Sequence, residues 1–77
     1  MSDEEFLSYI IACSDSTRSL FSGLEIARML RLAGYGGEAA DEWERRPNDW
    51  RELDTAKLVA RARMRLNGQG VLELGDL

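Results

Sequence analysis

The sequence contains no histidine and only one cysteine, one proline and one lysine, and each scarcity removes a class of function. Without histidine the commonest general base and the commonest metal ligand are missing, and a single cysteine cannot build a zinc site of ordinary ligand spacing. Nor can a lone cysteine, Cys13, form an intrachain disulfide, so hydrophobic packing must hold the fold, as expected of an intracellular chain. No apolar run approaches the roughly 20 residues that a membrane-spanning helix needs, and the opening Met1 to Glu5 is acidic where a secretory signal is basic. The expectation is a cytoplasmic protein without membrane contact.

Catalytic signatures are missing as well. There is no G-x-S-x-G elbow and no glycine-rich phosphate loop of either common spacing, and the Gly34 to Gly37 corner is too short to replace one. Acid pairs such as Glu38 with Glu42 need burial before they can do general acid and base work, and they fall in a strongly solvated stretch. Cys13 lies on an apolar helix face with no base beside it in sequence, which fits a small core residue. No enzyme, cofactor or metal site is expected.

What is present is the composition of a folded chain: 44% hydrophobic and 31% charged residues in 77 positions, with a formal net charge of −4. A domain this small buries only about 60% of the surface its unfolded chain exposes. Its core must be modest. The acidic balance argues against direct binding of a nucleic-acid backbone, which needs a dense basic surface.

Helix signals divide the chain. Ser2 and Glu5 have capping-box spacing and open a first helix over Asp3 to Cys13, whose apolar residues Phe6, Leu7, Tyr9, Ile10, Ile11 and Cys13 span an arc of roughly 200°. That arc is wide enough for a central helix or for one with a face left to a partner. After the polar break at Ser14 to Thr17, Ser22 and Glu25 repeat the box, and Phe21 and Ile26 have the spacing of a hydrophobic staple. The second helix should run from Gly23 to Ala33, with Leu24, Ile26, Ala27, Leu30 and Ala33 facing inward. Charge order at i, i+4 (Asp41 with Arg45, Glu42 with Arg46) marks a third helix over Glu38 to Arg46, ended by Pro47. A single helical turn around Trp50, between Asp49 and Glu52, precedes a fourth helix capped by Asp54 or Thr55 and stopped after Leu66 by Asn67 and Gly68. The reading is an all-α fold: three main helices, one or two short helical turns, and an apolar C-terminal tail. Residues 1–68 form the helical domain and 69–77 a tail that is either flexible or packed.

Candidate binding residues follow from these helices. Lys57, Arg61 and Arg65 form one stripe at i, i+4, i+8 beside the apolar face of Leu58, Val59, Ala62 and Leu66. The stripe either docks an acidic partner or answers the acids of the third helix. On the second helix Met29 and Leu32 sit among Glu25 and Arg28, away from the inward face, as an adaptable contact surface or as packing under another helix. Trp43 and Trp50 read as core staples. Tyr35 follows the Gly34 corner, and for Leu72 and Leu74 in the tail packing across the helices, pairing with a partner's sheet edge and simple fraying are all open.

An acidic, arginine-rich helical chain of this size without a catalytic site resembles the QseM-type quorum-sensing antiactivators, a resemblance of size, charge and layout over the whole chain that carries no residue motif. It implies a bacterial regulator that binds and sequesters a protein partner, a LuxR-type or related transcriptional activator. Two other readings stand beside it. A phage-type inhibitor or DNA mimic would use Glu38, Asp41, Glu42, Glu44, Asp49, Glu52 and Asp54 as false phosphates. A structural or adaptor module would use Leu30, Gly34 and Tyr35, which are similar to the glycine-aromatic loop of ubiquitin-associated domains.

Overall fold

A computed structural model describes residues 1–14 and 20–68. The chain is mostly helical: α1 (Asp3–Ser14), α2 (Gly23–Leu32), α3 (Glu38–Glu44) and α4 (Thr55–Leu66). Two short strands, β1 (Leu20–Ser22) and β2 (Trp50–Glu52), pair antiparallel. The all-α expectation is therefore corrected in one place, because the segment around Trp50 is not a helical turn. Its backbone pairs with β1 in the register Leu20 to Glu52, Phe21 to Arg51 and Ser22 to Trp50. A partner strand so distant in sequence overrides the weak local preference for a turn.

Both capping boxes are in place. Ser2 N donates to Glu5 Oε1 at 2.9 Å and Glu5 N to Ser2 Oγ at 3.1 Å, and the first of these bonds holds the Glu5 carboxyl below the usual carboxylate range. Ser22 ends β1 in an extended conformation and also caps α2, donating from its amide to Glu25 Oε1 at 2.9 Å and accepting from Glu25 N. The other Glu25 oxygen, Oε2, accepts from Tyr9 of α1 at 2.6 Å. This bond, then one with Cys13, pushes the Tyr9 phenol well above its ordinary pKa. Asp54 caps α4 through Ala56 N. At the end of α2, Tyr35 N donates to Leu30 O and Gly34 N to Arg31 O, the paired closure that glycine at positive φ permits; Gly34 has φ +93°.

The core is built from one face of α1 (Phe6, Leu7, Ile10), Phe21 of β1, Ile26, Met29 and Ala33 of the α2 segment, and Val59 and Ala62 of α4. Polar ties fix the directions of the helices. Arg28 bonds the Met1 carbonyl and Asp3, while Tyr9 reaches Glu25, so α1 and α2 run antiparallel. At one end of α1 Arg63 lies 3.3 Å from Glu4, an ion pair without hydrogen-bond geometry. At the other, the hydroxyls of Ser14 and Thr55 are hydrogen-bonded. These two ties make α1 and α4 antiparallel as well. α3 crosses the start of α2 so closely that a Cβ on Gly23 would overlap the Arg46 carbonyl oxygen and lie 2.5 Å from that of Trp43.

Several expectations about individual faces are corrected. Met29 is 0% exposed and belongs to the core, and Leu32 is half-buried against it; of their two readings the packing under other helices is the one seen and the contact surface is not, because α2 packs against both α3 and α4. Leu24, expected inside, is 54% exposed, and Leu66 also faces solvent. Trp43 packs on the core as a staple, whereas Trp50 is 56% exposed on the ribbon. The i, i+4 pairs of α3 do not form. Asp41 and Glu44 bind Arg31 of α2 at 2.8 and 2.5 Å instead, and Arg46 turns to Asp49. Those two acids hold the Arg31 guanidinium above its ordinary pKa.

Candidate interaction surface

The basic stripe of α4 is not a free docking row. Arg61 Nε donates to the Ala33 carbonyl at 2.7 Å, and its guanidinium lies over the Tyr35 ring, 4.6 Å from the centroid. Two proposed partner-binding residues thus meet each other at the C-terminus of α2, where a cation is favoured by the helix dipole. The Arg65 side chain lies beside Gly34 at that same end, close enough to contact a Cβ placed there. Arg61 and Arg65 face α2's last turn while Lys57 is exposed, and it is Arg31 that pairs with Asp41 and Glu44 of α3. Leu72 and Leu74 lie outside the described residues.

A different surface emerges from the β-ribbon. In an antiparallel pair, alternate residues face opposite sides, and the register puts Leu20, Ser22, Trp50 and Glu52 on one face and Phe21 and Arg51 on the other. Phe21 enters the core. The opposite face is outward, with Leu20 (42% exposed) and Trp50 as diagonal neighbours. Leu24 follows at the start of α2. Sequence reading missed this patch because its two strands carry no local signal that they pair.

Behind the ribbon, between α2, α3 and β2, is an open groove of about 380 Å³. Its floor is Ile26, Leu30, Trp43 and Leu53, and its rim is Arg46, Arg51 and Glu52. The Arg46 guanidinium lies 4.6 Å from the Trp43 ring centroid. Asp49 stands between the two arginines, 3.6 Å from Arg46 and 3.3 Å from Arg51. Such an arrangement offers apolar contact and charged hydrogen bonds; it holds no histidine, cysteine, serine or threonine to act as a nucleophile or soft metal ligand.

Among the described residues no group of three or more His, Cys, Asp or Glu is placed to hold a metal ion, and no helix is long and apolar enough to cross a membrane. Comparison with protein-family models, with curated proteins and with solved structures finds no match for this chain.

Proposed function

We propose that the chain is a small non-catalytic regulator that acts in the cytoplasm by binding a protein partner and masking one of its surfaces, a LuxR-type or related transcriptional activator being the partner class. The observation that carries this reading is Trp50, 56% exposed on the outward ribbon face beside Leu20 and contributing nothing to the core. Tryptophan is the residue type most enriched at the energetic centres of protein interfaces. Its cost when left in water is offset when a partner covers it.

The DNA-mimic alternative has less to draw on. Of its seven carboxylates, Asp41 and Glu44 are bound to Arg31, Asp49 to two arginines, and Asp54 to the first turn of α4. The adaptor alternative relies on Tyr35, whose ring has Arg61 over one face.

A reporter driven by a LuxR-type activator, with the chain co-expressed, tests the proposal. Trp50→Ala and Leu24→Ser are expected to relieve repression and abolish co-purification with the activator, and exposed substitutions of this kind should move stability by no more than about 0.5 kcal/mol. Full repression by both variants, or none by the parent chain, would count against the reading.

A further inference from the structure

We propose that the groove between α2, α3 and β2 docks an acidic amphipathic segment of the partner, which places large apolar side chains on the floor and a carboxylate between Arg51 and Arg46. The inference rests on the reading of the chain as a protein-binding regulator and adds the chemistry of what is bound.

Three observations support it. The floor of Ile26, Leu30, Trp43 and Leu53 is apolar and open to water, and at about 380 Å³ the groove falls within the range of roughly 300–1,000 Å³ typical of ligand clefts. Water on such a floor lacks polar partners, and its displacement by an apolar side chain is favourable. The cations on the rim are under-neutralised, since one carboxylate, Asp49, serves both Arg46 and Arg51 at ion-pair distances of 3.6 and 3.3 Å. Arg51 uses only Nε for that bond, and its two terminal nitrogens make no hydrogen bond among the described residues. A guanidinium fork presented in this way suits a carboxylate, which it can bind through two parallel hydrogen bonds.

Charge separates this place from the rest of the molecule. The chain carries −4 overall, yet Arg45 to Arg51 holds three arginines and one aspartate. Of the acids on α3, Asp41 and Glu44 are bound to Arg31 of α2 and not to these arginines. An acidic segment therefore finds a local cationic landing site on an otherwise acidic protein. Glu52, the next residue along β2, lies on the opposite face of the ribbon from Arg51, so its carboxylate does not answer that guanidinium. Apolar anchors at helical spacing are a common way for an amphipathic helix to fill such a groove.

The test uses the full chain, labelled with nitrogen-15 and titrated with a synthetic amphipathic peptide of about twelve residues bearing leucine on one face and glutamate on the other. The control peptide has lysine in place of glutamate. Amide shifts at Ile26, Leu30, Arg51, Glu52 and Leu53, with the Trp43 indole, are expected for the glutamate peptide. Arg51→Gln should weaken it roughly tenfold, and the double reversal Arg46→Glu with Arg51→Glu should transfer the preference to the lysine peptide. Arg51 is exposed, so Arg51→Gln keeps the fold testable if the double variant does not fold. Absence of binding, equal affinity for the two peptides, or shifts confined to α4 would overturn the proposal. The same would follow from concentration-dependent shifts of these amides without peptide, which would show that a second copy fills the groove. Because the reporter experiment alters Trp50 and Leu24, loss of repression there with intact peptide binding here, or the reverse, separates the two readings.

Discussion

Gly23 and Arg61 illustrate how single residues set the packing of this chain. Gly23 is the first residue of α2 and lies against the carbonyl oxygens of Trp43 and Arg46, where a Cβ has no room. Gly23→Ala should therefore lower stability by about 1–3 kcal/mol, the usual cost of overpacking, despite alanine's better helix propensity; urea denaturation measures it. Arg61 is half-buried and gives a charged donor to the Ala33 carbonyl, a bond worth roughly 1.5–3 kcal/mol. Arg61→Ala is expected to lower the melting temperature by several degrees, while Lys57→Ala, on the same stripe but exposed, leaves it within error. Spacing alone put these two cations in one class. What divides them is the end of α2, a neighbour that the sequence of α4 does not reveal. Met29 was misplaced for a related reason: with charged residues on either side in a helical wheel it looks like surface, but α2 is buried on more than one side, and a flexible thioether fills the gap.

At the scale of elements, the helices were legible because their ends are written locally. Ser2 with Glu5, Ser22 with Glu25, Asp54, and the glycines at 34 and 68 fix starts and stops within a turn of the chain, and each serves that purpose in the structure. The ribbon was not legible, because Leu20–Ser22 and Trp50–Glu52 become strands only through each other. The candidate surface depends on that pairing, which is why the residues first singled out lay elsewhere. The tie between α1 and α2 has a consequence that titration can read. The neutral Tyr9 phenol donates to Glu25, and its folded-state pKa is raised above the unfolded value of about 10. A raised pKa means that the contribution is fully present below about pH 10 and is lost as pH rises beyond it. Thermal melts should fall more steeply with pH above 10 for the parent chain than for Tyr9→Phe. Parallel curves would mean that the bond adds nothing in solution.

For the molecule as a whole, two of its features point the same way: a small core and an outer surface that leaves Trp50, Leu24 and Leu20 in water. The ribbon that carries Trp50 joins positions about thirty residues apart, and closing such a loop costs about 3 kcal/mol of chain entropy. Three paired residues cannot repay that alone, so the pairing exists because α2 and α3 have already brought the ends together. The two strands are unequal: β1 is anchored by Phe21 in the core, whereas all three residues of β2 are exposed. The consequence lies in hydrogen exchange. β2 should open as a separate unit, its amides exchanging through a low-energy local event while those of α2 wait for global unfolding. Equal protection of Trp50–Glu52 and of Ile26–Met29 would show instead that the ribbon and the helices open together. On the expected outcome, the edge of β1 is exposed from time to time while Phe21 stays in place, so the native state itself presents, for brief intervals, an unpaired strand next to the groove.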